Sequence, residues 1–319
     1  MPLTDMQLNK LKKYQGRNPK PKDFDRYWAR ALREMRSTDP ELELVPAKFK
    51  VDCAECFDLY FTGVQGARIH AKYLRPKKSH KPHPAVVFFH GYSGSSGDWN
   101  DKLNYVALGF SVAALDCRGQ GGLSEDKGGI KGPTLRGHII RGLNDSPDAL
   151  LFRQIFLDTA QLAGIVMTMP EVDSKRVGAT GGSQGGGLTL ACAALEPRIK
   201  KAVPHVPFLC DYQRVWEMDL AQGAYEELRT FFRQFDPRHE REREIFNRLG
   251  YVDVQHLAGR IRAETLMITN LMDTTCPPST QFAAYNKIKA RKKMIINPDF
   301  GHESAPGSSD SAFNFLAEL

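Results

Sequence analysis

Ser183 stands in RVGATGGSQGGGLTL (176–190), framed by Gly181 and Gly185 as Gly-x-Ser-x-Gly. A strand-like apolar run precedes it and a helix-like run follows, the context in which this motif places a nucleophile on a sharp strand-to-helix turn. The glycines then have a physical reason. A serine held in a strained backbone conformation tolerates only small neighbours. Its hydroxyl would be exposed near a helix N-terminus, where developing negative charge is favoured. The competing readings are a structural turn and a phosphate cradle, but the Lys-Ser/Thr ending of a P-loop is missing from this sequence.

A nucleophilic serine needs a base, and the base needs an orienting acid; in this arrangement they follow in the order Ser, acid, His. Four of the nine histidines come after Ser183: His205, His239, His256 and His302. Only His302 follows a late strand, in MIINPDFGHESA. The acid expected at the end of the preceding strand is Asp273, in TLMITNLMDTTCPP. Asp299, three residues before His302 on the same loop, is the alternative, and a turn role for Asp273 would use the same residue type. An oxyanion hole requires two backbone donors. Gln184, directly after the nucleophile, supplies one, and Tyr92 in FFHGYSGSSGDW is the candidate for the other. His90, ahead of Tyr92, is expected to brace that loop.

These residues need a frame. CFDLYFTG and ARIHAKYLRP alternate apolar and polar residues across GVQG, a hairpin signal. PAVVFFH, SVAALD, KRVGATG, KAVPHVPF, ETLMITN and KKMIINP are short, β-branched runs typical of strands buried on both faces. Helical stretches separate them, notably SPDALLFRQIFLDTAQLAGIVMTMP, GGGLTLACAALEP and STQFAAYNKIKA. The alternation predicts an α/β protein with a mostly parallel sheet flanked by helices, and the antiparallel opening fits an α/β-hydrolase sheet. Residues 1–45 read as an N-terminal helical extension whose apolar face carries Phe24, Tyr27, Trp28, Leu32 and Met35. Residues 211–262 hold eight Tyr, Trp and Phe side chains and no strand signal, so a helical insertion or lid over the active site is expected. One domain over 1–319 accounts for the chain.

The bulk numbers are permissive. The chain is 41% apolar and 25% charged with net charge +7, as in globular proteins with a sizeable core. Residues 1–36 carry ten Lys/Arg against four acids. Because they share the sequence with an apolar helix face, packing is expected rather than nucleic-acid binding. No run suits a membrane span or a signal peptide, so a cytoplasmic location and no membrane partner are expected. Cys53 and Cys56 form a lone CxxC, without the second pair or histidine of a zinc set, so no metal and no cofactor are expected.

DCRGQG (116–121), GGSQGGG (181–187) and GHES (301–304), together with GPTLRGHIIRG, VPFLCDY and LMDTTCPPSTQFAAYN, resemble the acetyl xylan esterase/cephalosporin-C deacetylase family of α/β-hydrolases, carbohydrate esterase family 7. The resemblance spans nearly the whole chain. It implies a serine esterase that deacetylates small substrates, both acetylated xylo-oligosaccharides and cephalosporin C, through an acetyl-enzyme. It carries the triad onto Ser183, Asp273 and His302, the oxyanion donors onto Tyr92 and Gln184, and substrate contact onto Tyr92. Arg118 and Gln120 become supports of the site. It further implies a cytoplasmic homohexamer, a dimer of trimers. A general short-chain carboxylesterase or an acyltransferase on the same fold is the alternative, as is a peptidase with the same triad, which would carry a further large domain.

Overall fold

The computed structural model describes residues 4–78, 81–128 and 135–319. Gly132–Thr134, the first residues of GPTLRGHIIRG, lie outside the described residues. Nine strands form one sheet: β1 (Glu43–Pro46), β2 (Ala54–Thr62), β3 (Arg68–Pro76), β4 (His83–Phe89), β5 (Ser111–Leu115), β6 (Val172–Gly182), β7 (Lys201–His205), β8 (Glu264–Asn270) and β9 (Lys292–Asn297). Their order is β1-β2-β3-β5-β4-β6-β7-β8-β9. The first three strands and the β3–β5 pair are antiparallel; every pair from β5–β4 onward is parallel. This is the α/β-hydrolase fold.

The helices of six residues or more are α1 (Phe24–Ser37), α2 (Leu151–Val166), α3 (Gln184–Leu195), α4 (Tyr212–Glu217), α5 (Glu226–Phe235), α6 (Glu242–Leu249), α7 (Pro278–Lys287) and α8 (Ser308–Ala317). α2 is buried almost all round, its polar residues Arg153, Gln154, Asp158, Thr159 and Gln161 included, and all of α3 is buried. They pack on one face of the sheet, with α1 outside α2. On the other face Val86, Val112, Val203 and Ile268 meet Tyr105, Val106 and the α8 residues Ala312 and Leu316.

The N-terminal helix forms where its apolar spacing predicts. Phe24, Tyr27, Trp28 and Met35 are buried, Ala31 joins them and Leu32 is half-buried. Trp28 stacks on Phe156 of α2 and donates its indole N–H to the Tyr251 carbonyl. The extension is not wholly helical, however. ELVP at 43–46 pairs antiparallel with β2 as an edge strand, an element too short to show a period in sequence.

Strand order places the site. β4 lies between β5 and β6, so the chain leaves β4 toward one side and returns on the other. Loops diverge at such a switch point, and ligands of open α/β sheets bind there, beyond the carboxyl ends of the strands. The loops after β4, β6 and β8 carry Tyr92, Ser183 and Asp273 to that edge. Among the described residues no helix is long and apolar enough to cross a membrane.

Candidate active site

At the β6–α3 turn Ser183 adopts φ 57°, ψ −118°, a conformation that costs a non-glycine residue of order 1–3 kcal/mol. Its amide donates to the His205 carbonyl at 2.9 Å, and its carbonyl accepts from the amides of Gly187 (3.1 Å) and Phe208 (2.9 Å). Space accounts for the flanking glycines. A Cβ on Gly185 would stand 2.0 Å from the Phe89 carbonyl oxygen, and one on Gly181 2.4 Å from the same atom.

Ser183 Oγ lies 2.9 Å from Nε2 of His302, whose Nδ1 lies 2.8 Å from Oδ2 of Asp273. Asp273 is fully buried and its Oδ1 accepts from the amides of Thr275 and Cys276, at 2.9 and 2.8 Å. Asp299 is exposed, and the carboxylate hydrogen-bonded to the imidazole is that of Asp273. Two residues that pattern reading did not single out hold this line in place. Gln281, buried on α7, donates to Asp273 Oδ2 (3.3 Å) and the Cys276 carbonyl (2.6 Å). Asn270, at the end of β8, donates to the carbonyls of Gly301 and Glu303 at 2.7 and 2.8 Å, pinning the His302 loop. Their only sequence signal is a polar residue in an apolar run.

The remaining late histidines are elsewhere engaged. His239 is exposed beside Glu242, and His256 packs against Phe24. His205 lines the cavity next to Ser183, and burial lowers its pKa to about 4, leaving a neutral ring. A sulfur of Cys276, a carboxylate oxygen of Asp273 and a nitrogen of His302 lie within 4.8 Å of one another. They could ligate a cation only by giving up the Ser183–His302–Asp273 hydrogen bonds, and burial pushes the Cys276 thiol up, keeping it protonated. Cys53 is exposed and Cys56 buried.

Gln184 is the first residue of α3, so its amide is outside the helical ladder. Among the described residues neither that amide nor the amide of Tyr92 has a hydrogen-bond partner. Gln120 bridges the two loops: its side-chain amide pairs with that of Gln184 at 3.0 Å in both directions, and its Oε1 accepts from the Ser93 amide at 2.9 Å. Arg118 acts at longer range. Its guanidinium meets Asp158 of α2 in two bonds of 2.7 and 2.6 Å, both side chains buried, which fastens the 116–121 loop to the core. His90 braces the Tyr92 loop, accepting from the Cys117 amide at 3.0 Å while its other nitrogen meets the Gly91 carbonyl at 2.7 Å.

Asp116 anchors both loops at once. It accepts from the amides of Ser96 (2.5 Å) and Leu123 (2.9 Å) and from His70 (2.7 Å), whose other nitrogen lies 2.9 Å from Asp58. Burial alone would lower the His70 pKa; its hydrogen bonds to the two carboxylates outweigh that and raise it. Burial alone would raise Asp116, but His70 and the two amides bring its carboxyl well below the usual range.

A cavity of about 430 Å³ opens beside Ser183 and His302, walled by Phe88, His205, Val206 and Ile268. The insertion takes a different form from a lid. No described residue of 211–262 lines this cavity, and Tyr212, Tyr225, Phe231, Phe232 and Phe246 are buried in the core. Much of this aromatic surface is spent within the insertion itself: Trp216 packs on Phe232 and Phe246, and Phe231 on the exposed Phe235. The insertion approaches the site from behind: Tyr225 packs on Phe208 (ring centroids 4.3 Å), and Phe208 packs edge-on to Tyr92 (5.7 Å).

Hydroxyl, imidazole and carboxylate in one hydrogen-bonded line is an arrangement suited to acyl transfer, and the amides of Tyr92 and Gln184 are unspent. Comparison with known proteins gives the same direction. The family model for acetyl xylan esterase matches residues 1–319. Acetyl esterase Axe7A of Xylanibacter ruminicola is 28% identical over 288 residues, 87% of this chain, which spans 62% of the length of that relative. Acetyl xylan esterase 1 of Thermoanaerobacterium sp. JW/SL YS485 superposes with a TM-score of 0.96 at 63% identity, covering 98% of this chain and 99% of the other. The acetyl xylan esterase of Paenibacillus sp. R4 gives 0.92 at 35% identity, over 98% and 100%. The chain therefore belongs to the acetyl xylan esterase family, a family of carboxylic ester hydrolases.

Proposed function

We propose that the protein removes acetyl groups from small hydroxylated compounds, acetylated xylo-oligosaccharides and cephalosporin C among them, through an acetyl-enzyme on Ser183. The observation that carries this reading is the unbroken Ser183–His302–Asp273 line, 2.9 and 2.8 Å, at the switch point of the sheet. His302 takes the Ser183 proton as Oγ attacks the acetyl carbonyl, and Asp273 fixes the tautomer that leaves Nε2 free to accept. The Tyr92 and Gln184 amides bind the oxyanion; one such donor is worth about 3–4 kcal/mol. His302 then protonates the departing alcohol and activates the water that releases acetate. No step calls on a metal or an organic cofactor. Tyr92, whose ring is backed by Phe208, is assigned substrate contact in this reading. The reading extends to a cytoplasmic homohexamer acting on small molecules, with no nucleic-acid or membrane partner.

Acetate release from acetylated xylobiose, cephalosporin C and polymeric acetyl xylan, with p-nitrophenyl acetate and butyrate beside them, tests the proposal. Turnover of the small acetylated compounds, with little on butyrate or polymer, is the expected result. Good butyrate turnover without sugar or cephem deacetylation would leave a general short-chain esterase. Acetyl transfer to an added alcohol in preference to water would make it an acyltransferase.

A further inference from the structure

The stretch 225–227 of the insertion is linked to the site by two routes, one through Phe208 and one through the 137–140 loop. Tyr225 backs Phe208, and Phe208 donates its amide to the Ser183 carbonyl. Two residues on, Glu227 of α5 is buried and spends its carboxylate on a loop rather than on a cation: Oε1 accepts from the Gly137 amide at 2.9 Å, and Oε2 from the amides of Ile139 (2.7 Å) and Ile140 (3.3 Å). A buried carboxylate is expensive unless its lone pairs are filled, so three converging amides fix the loop firmly. Gly137 turns at φ 93° to aim them.

That loop reaches the oxyanion side of the site. The His138 ring packs against Tyr92, centroids 4.9 Å apart, and its amide donates to Tyr92 Oη at 3.4 Å. Ser93, next in chain to Tyr92, has its hydroxyl 3.3 Å from His138 Nε2 and donates it to the Leu135 carbonyl. Ser93 itself sits at φ 60°, a conformation that needs outside support.

We infer that Glu227 is a positioning residue for acyl transfer: by gathering the amides of residues 137, 139 and 140 it holds His138 against Tyr92 and so sets the second oxyanion donor. The inference rests on the reading of the Tyr92 amide as that donor. It gives the insertion a part in the chemistry, as a buttress of the oxyanion hole. A carboxylate suits this task better than an amide. Glu227→Gln keeps the shape but turns one acceptor into a donor facing an N–H group.

The test is steady-state hydrolysis of p-nitrophenyl acetate by Glu227→Gln and Glu227→Asp, expressed per active site titrated with diethyl p-nitrophenyl phosphate. Glu227→Gln is expected to lower kcat roughly 10- to 100-fold at nearly constant KM, because a misplaced donor is felt in the transition state. The rate of organophosphate inactivation, which also builds an oxyanion, falls by a similar factor, and Glu227→Asp, which keeps both acceptors, recovers part of each. If Glu227→Gln does not fold, Gly137→Ala loosens the same clamp from the loop side, where backbone strain alone opposes the methyl group, and should show the same split to a smaller degree. An unchanged kcat per titrated site, or a loss confined to KM, overturns the inference. A Ser183→Ala protein that still turns over overturns the underlying reading instead.

Discussion

Ser183→Ala is expected to lower acetate release by at least about 10⁴-fold while leaving the fold intact. The substitution removes one oxygen, and every backbone bond that shapes the turn survives it, because the Ser183 amide and carbonyl are the groups engaged by His205, Gly187 and Phe208. Alanine meets the same φ of 57° with the same Cβ, so no new strain enters. What is lost is the hydroxyl hydrogen-bonded to His302 Nε2. Oxyanion donors and binding alone leave the residual rate. Thermal melting close to that of the parent protein, with acetate release at the detection limit, is the expected pair of observations. Turnover within tenfold of the parent would mean that another group attacks.

Asp273→Asn has nearly as large an expected effect for a different reason. Oδ1 accepts from the Thr275 and Cys276 amides, so an asparagine must keep its oxygen at that place. Its NH₂ then faces His302 Nδ1. The imidazole would have to accept at Nδ1 and carry its proton on Nε2, the tautomer that cannot take the Ser183 proton. A fall of about 10⁴ in kcat is expected, with the site geometry preserved. Gln281, which now donates toward the same position, would meet a second donor there. Asp273→Asn therefore also loosens α7 slightly, and a small drop in the melting temperature should accompany the loss. A kcat within tenfold of the parent would show that Asp273 serves the turn and not the imidazole.

The turn around Ser183 was legible in the sequence because the glycines it requires stand beside the serine they serve. The carbonyls they make room for, of Phe89, His205 and Phe208, come from other strands and loops. His302 and Asp273 were legible through their order and their places after strands. Gln281 and Asn270 were not. Each acts on a group brought near by the sheet, and nothing in QFAAYN or ITNLMD distinguishes a polar residue that orients a carboxylate from one that caps a turn. Glu227 is hidden in the same way, its partners lying 87 to 90 residues earlier in the chain. The edge strand β1 escaped because four residues cannot display a period. The aromatic wealth of 211–262 pointed to a cleft cover, yet aromatics report burial and say nothing of what they are buried against. The terminal helix α8, with Ala312 and Leu316 facing the sheet, likewise gave no pattern strong enough to read.

The central claim is that acetyl passes through Ser183, and the most direct measurement is to catch it there. The protein is mixed with p-nitrophenyl acetate, quenched in acid during the first turnovers, digested and mapped by mass spectrometry. One acetyl group on the peptide carrying Ser183, absent from the Ser183→Ala protein, is the predicted result. An acetyl group on a different residue, formed as fast as p-nitrophenol appears, would contradict it.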